Sequence, residues 1–242
     1  SISQLVYLKF PVLYLSMRIF VTCFLFLLFS SVFAGELKIY TLDGLQGVED
    51  AEGKVVVPAI YEKLGWSNGT NDIINKTIGF YENGNWGLIN IRTRKVGNAG
   101  FRILEPFNDY LIEAGKVTPY SNVVKRGLID EKGEVIIGFN YYTIDELFPG
   151  VYKVSEYSER DLYFGVVNSE KVLIPVKHEN ITVEGNYMVS GSKGLTKRVY
   201  KTDGTLLVDE WVDNFRFVHD GYLISKEGYF GKLDQNGGWL HP

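Results

Sequence analysis

An all-β fold of about six antiparallel repeat units, each about 33–42 residues long, is predicted by three observations. A glycine-led motif returns along the chain, Gly accompanies abundant Tyr, Val and Ile, and short apolar runs end at turn residues. Of the 26 Gly, none lies in the first 34 residues, so they make up roughly 12% of the remainder against a typical 7%.

The chain divides near residue 34. Met17 and Arg18 precede an apolar run over 19–34, with Val32 and Ala34 at the small-residue positions of a cleavage site. About 15 apolar residues are too few for an anchor, which needs roughly 20. Residues 1–34 are therefore expected to be an apolar signal helix, with Met17 the true start and 1–16 an upstream extension. An uncleaved N-terminal anchor is the alternative. Cys23, the one cysteine, lies inside the apolar run, and Phe20, Val21 and Thr22 make a poor lipobox. One cysteine supports neither an internal disulfide framework nor a Cys-cluster metal site. Past residue 34, 23 basic residues face 29 acidic ones, a net of −6. Nucleic-acid binders carry the opposite balance.

Residues 35–242 read as one repeat domain. Its leading slot holds Gly47, Gly87, Gly127, Gly165, Arg198 and Gly231, at spacings of 40, 40, 38, 33 and 33. Six residues later a turn glycine recurs as Gly53, Gly133, Gly204 and Gly237. A second motif lies upstream and places Tyr110, Tyr152, Tyr187 and Tyr222 in one slot.

Each unit translates into strands. Residues 222–225 and 229–234 form a hairpin turning at 226–228, and Asn83-Gly84 is a strong hairpin signal because both residues accept positive φ. Asp130 to Gly133 makes a second turn, and 134–137 a third strand. Pro58, Pro106 and Pro175 are expected at strand ends, since Pro cannot donate to a ladder. Ile181-Thr182-Val183 and Phe215-Arg216-Phe217 supply a fourth strand. The runs Val55-Val56-Val57, Val135-Ile136-Ile137 and Leu206-Leu207-Val208 do not alternate, so each sheet is expected to be covered on both faces by its neighbours. The sheets are expected to stack as a propeller-like ring or an open curved array.

The segment Asn85-Trp86-Gly87-Leu88-Ile89-Asn90, with GLIDEKGEVI at 127–136 and GVEDAEGKVVVPAIY at 47–61, resembles the WG-repeat family of bacterial proteins. The resemblance covers most of 36–242. Only Trp86 keeps the Trp; the same slot holds Gln46, Arg126, Phe164, Lys197 and Phe230. It implies a β-strand repeat, often on exported proteins, and supplies no catalytic residues. A WD-type propeller fits less well, since no Trp-Asp pair occurs and the later units are short.

No catalytic constellation stands out. His178, His219 and His241 fall in no HxH or HExxH spacing, and no GxSxG elbow occurs. His178 occupies a slot that other units give to Tyr61 or Tyr141. GSKG at 191–194 reads as a hairpin loop, lacking the helix a phosphate loop needs. Acids such as Asp50, Asp130, Asp203 and Asp234 lie in separate turns, which speaks against a calcium loop. Candidate binding residues are Trp66 in the insertion GWSNGTND, the recurrent Tyr152, Tyr187 and Tyr222, and Arg92, Arg94 and Lys95 in the insertion at 91–105. Loops carry function more often than scaffolds do, whereas a Tyr row is more often a core or cross-strand ladder than a binding surface.

These features point to an exported, non-catalytic binding or scaffold protein at the bacterial envelope, periplasmic or extracellular, with no cofactor and no metal. Its partner is expected to be another protein or an envelope polymer. The alternatives are a cell-wall or glycan-binding module, and a hydrolase whose site is assembled from several repeats.

Overall fold

The computed structural model describes residues 36–119, 121–191, 197–207 and 212–241. The expected leader, the GSKG loop beyond Gly191 and Val208 fall outside them. Among the described residues every regular element is a strand, and no helix is long and apolar enough to cross a membrane.

Six antiparallel meanders follow one another along the chain. The first holds β1 (Lys38–Leu42), β2 (Leu45–Glu49) and β3 (Val55–Tyr61); the second β4 (Lys63–Gly65), β5 (Thr77–Glu82), β6 (Asn85–Asn90) and β7 (Lys95–Val96). The third holds β8 (Ile103–Pro106), β9 (Leu111–Val117), β10 (Val124–Asp130) and β11 (Val135–Tyr141). The fourth holds β12 (Thr143–Phe148), β13 (Val151–Ser158), β14 (Asp161–Val167) and β15 (Val172–His178). β16 (Asn180–Glu184), β17 (Tyr187–Gly191) and β18 (Lys197–Lys201) form the fifth. β19 (Asn214–Val218), β20 (Gly221–Lys226), β21 (Tyr229–Leu233) and β22 (Trp239–His241) form the sixth.

Local chemistry explains the turns. Asn83-Gly84 and Glu227-Gly228 both take left-handed φ, 50° and 81°, then 51° and 84°, closing two-residue hairpins. In the Asp-x-x-Gly turns the carboxylate replaces missing ladder bonds. Asp130 Oδ1 accepts from the N–H of Lys132 and of Glu134, each at 2.8 Å. Asp50 and Asp234 do the same in their units. Gly133 then takes φ +84°, as Gly53, Gly204 and Gly237 do at matching positions.

The leading glycines serve a different need. At Gly127 a Cβ would stand 2.5 Å from the Ile137 carbonyl oxygen, because β11 bulges across β10 there. Gly47 and Gly165 lie under the carbonyl oxygens of Val57 and Ile174, which a Cβ would meet at 2.5 and 2.7 Å, and at Gly87 the Phe80 ring fills the space. The bulge corrects two expectations. Pro58 and Pro175 sit inside β3 and β15, where the ladder skips a pairing and no N–H is required; Pro106 alone ends its strand. The third strand of the third unit also runs on past 137, since pairing resumes at Arg126 and Tyr141.

Consecutive residues of the strand after the leading slot face opposite neighbours. The pairs Val48 and Ile89, Leu88 and Ile129, Leu128 and Val167, Val166 and Tyr200, and Val199 and Leu233 each share one of five buried clusters. Each cluster lies between consecutive sheets, and among the described residues none joins the first sheet to the sixth. The coverage of both faces is less complete than the sequence pattern indicates. Val55 and Val135 open their runs more than half exposed, while Val57 and Ile137 are buried.

Candidate functional site

Among the described residues, a hollow lies where the insertion of the second unit meets the third sheet. Asn90, at the end of β6, accepts the Thr93 N–H on Oδ1 and donates from Nδ2 to the Glu131 carbonyl oxygen at 3.0 Å. The chain then doubles back. The Gly97 N–H donates to the Leu88 carbonyl, and Trp86 and Phe101 exchange backbone hydrogen bonds. Between this strap and the third sheet remains a cleft of about 530 Å³, within the ordinary range for ligand sites.

Its lining is biased in charge. Lys95, Lys116 and Lys132 line it, with Asn90 and Asn98, and Phe101 contributes an aromatic wall. The Lys116 ammonium lies 5.2 Å from the Phe101 ring centre and 4.5 Å from that of Phe139, a cation–π arrangement that fixes its direction. Among the described residues that line it, the one acid, Glu131, is already engaged: Arg92 pairs with its carboxylate, and Asn75 Nδ2 donates to Oε2 at 2.8 Å. A second hollow of about 570 Å³ lies beside the first sheet, but Glu36 and Asp72 there balance Lys38 and Lys76.

The sequence-derived candidates distribute unevenly around this cleft. Lys95 lines it, and Arg92 braces its acid. Arg94 is exposed in the turn between them, at φ +55°. Trp66 is a correction: it is fully buried between the second and third sheets, its Nε1–H donating to the Asp72 carbonyl at 2.7 Å, and it offers no face to a ligand. The insertion folds inward because its backbone turns between Trp66 and Thr70 while the indole fills the sheet interface.

The tyrosines are likewise core residues and form no row. Tyr152, Tyr187 and Tyr222 are each at most 4% exposed, whereas Tyr110 projects from a turn at 75%. Tyr152 faces the third sheet and Tyr222 the fifth, each its preceding neighbour, but Tyr187 faces the sixth. Tyr187 packs edge-on against Tyr222, centroids 4.7 Å apart, and the Tyr222 hydroxyl accepts the Asn186 N–H. Trp86, the single retained Trp of the repeat, is also buried in the cluster between the second and third sheets. Lys116 and Lys132 were not legible as site residues, since they belong to another unit; the insertion at 91–105 was the signal for the place.

The histidines stay apart in role. His178 is buried beside Tyr200 between the fourth and fifth sheets, its Nε2 without a hydrogen-bond partner among the described residues. Burial, with Lys177 and Arg198 adding repulsion, holds its pKa below the ordinary value. His219 lies in the exposed turn after β19. Among the described residues no group of three His, Cys, Asp or Glu side chains converges as a metal site would require.

No family model matches the sequence, and no curated protein matches it. Solved structures resemble it distantly. A computationally designed protein, Ika8, shares 14% identity at a TM-score of 0.31, over 86% of this chain and 71% of that one. A eukaryotic initiation factor shares 10% at 0.37, over 85% and 62%. The WD40 beta propeller domain of Doa1 shares 14% at 0.28, over 70% and 65%. The chain thus spans just under two thirds of the latter two. The six-sheet architecture rests on the strand pairing itself.

Proposed function

We propose that this protein is a non-catalytic, WG-like repeat protein exported to the bacterial envelope, and that the cleft between its second and third sheets binds an anionic ligand. The export reading rests on residues 17–34. The ligand reading rests on one observation: Lys95, Lys116 and Lys132, from two units, line a common hollow whose only acid is already paired. Three unopposed ammonium groups beside an aromatic wall suit an acidic envelope glycan, its carboxylates held by charge-assisted hydrogen bonds and a sugar face set against Phe101. The buried tyrosines transfer the glycan reading from an aromatic row to this cleft. The array is open rather than closed into a ring, a reading supported by five clusters that link only consecutive sheets.

Calorimetric titration with oligogalacturonate, and with a neutral glucan of equal length, tests the ligand. Binding of the acidic oligomer alone is expected, weakened by salt and reduced roughly tenfold or more by the double change Lys95→Glu, Lys132→Glu. Equal binding of both oligomers, or no loss in the double variant, overturns the reading.

A further inference from the structure

The two outermost sheets are chemically matched to each other. At all five internal junctions, an apolar residue one position after the leading slot meets an apolar residue two positions after it in the next unit. Among the described residues, the two ends of the array hold the same slots outside any buried cluster. At the sixth sheet the outward slot is Lys232, since Leu233 faces the fifth sheet. At the first sheet the outward slot is Glu49, since Val48 faces the second. Opposite charges therefore stand where every internal junction places an apolar pair.

The surroundings of each charge fit a junction. Strand pairing sets Lys38, Tyr40 and Leu42 on the outward face of the first sheet with Glu49, Leu42 being 59% exposed. It sets Arg216, Leu223 and Phe230 on the outward face of the sixth with Lys232, Phe230 being 67% exposed. Glu49 is held by Lys38 at 3.0 Å and Lys232 by Asp220 at 2.7 Å, so each end brings one cation and one anion beside apolar surface. We infer that the sixth sheet docks on the first sheet of a second copy of this chain, head to tail, with Lys232 against Glu49. The occupant is another copy because β2 of a first sheet presents the same slot that every internal junction receives, in a meander that, among the described residues, lacks only the strand preceding β1 that the other sheets have. Such a heterologous contact leaves one face free at each end and grows into rings or filaments. The inference is independent of the cleft.

Sedimentation velocity across a hundredfold concentration range tests it. The wild-type protein is expected to form dimers and larger species that dissociate on dilution and in high salt. Lys232→Glu and Glu49→Lys each set like charges together and are expected to raise the dissociation constant roughly tenfold or more. Mixing the two variants restores association, because each now offers the charge the other needs. Both changes lie on outward faces, and unchanged circular dichroism and melting confirm the fold. Wild-type protein monomeric throughout, single variants that associate like wild type, or no recovery on mixing overturns the inference. Closure of the array on itself gives monomers that mixing does not rescue, and so counts against it.

Discussion

Replacing Gly127 with Ala separates two reasons for glycine that the sequence repeat merges. At Gly127 a new Cβ meets the Ile137 carbonyl oxygen at 2.5 Å and Phe139 Cδ1 at 3.0 Å. Ordinary contact needs about 3.4 Å, so β11 must move by nearly an ångström at the bulge that holds the third sheet together. Overpacking of this kind costs about 3 kcal/mol, the upper part of its usual range. At Gly133 a Cβ meets nothing within 4 Å, and only φ +84° opposes it; that costs about 1 kcal/mol. With a urea slope of about 2 kcal/mol per molar, the midpoints should fall by about 1.5 M for Gly127→Ala and about 0.5 M for Gly133→Ala. Tryptophan fluorescence suits the assay, because Trp66 and Trp86 share the buried cluster that contains Ile129. Equal shifts for the two variants would refute the close-approach account of the leading glycine.

Gly204 combines both constraints, φ +87° with Leu173 O 2.8 Å from a Cβ, so Gly204→Ala should cost more than Gly53→Ala, which has φ +81° and open space; chemical denaturation ranks them. Gln46 Oε1 accepts the Leu64 N–H at 2.6 Å and ties the first unit to the second. Gln46→Ala should cost about 1–3 kcal/mol and speed hydrogen exchange at Leu64. The buried imidazole of His178 favours its neutral form in the folded state, so its contribution is complete above about pH 6.5 and is lost as pH falls through the lowered folded value. His178→Tyr, matching Tyr141 of the preceding unit, should therefore gain stability relative to wild type between pH 7 and pH 5, read from melting curves; a constant difference would exclude the imidazole as the titrating group. Trp66→Phe keeps an aromatic filler but loses the 2.7 Å bond to the Asp72 carbonyl, and should destabilise by about 1–3 kcal/mol while leaving anion binding in the cleft unchanged.

The strands and turns were legible because their causes are local. An Asp that caps its own turn and a Gly in the left-handed region act within five residues, so Asp130 and Gly133 announce the same turn in the sequence that they build in the structure. The two-residue hairpins at Asn83-Gly84 and Glu227-Gly228 are local in the same sense. The bulge was not legible. Its mark in the sequence is a proline, which reads as a strand end, yet it sits inside β3 and β15 because the partner strand has a glycine to let the backbone cross.

Facing is the other quantity that sequence alignment hides. Tyr187 and Tyr222 match in the motif, but Glu184 pairs directly with Tyr187, whereas Val218 pairs with Gly221. Tyr187 therefore stands one residue nearer its turn, and one residue of offset turns a strand side chain to the opposite face. The same rule decides which way Glu49 and Lys232 point. Each is an unremarkable residue beside a turn until strand pairing shows that it occupies a junction slot, and only the set of five filled junctions gives the two unfilled ones their meaning. The cleft follows this logic as well: Lys95 came into view through its insertion, while Lys116 and Lys132 reach it from the third unit, across a junction that only folding creates. In a stacked array, what a residue does depends on which neighbour its face is turned toward, and that is set by pairing between strands rather than by position within the repeat.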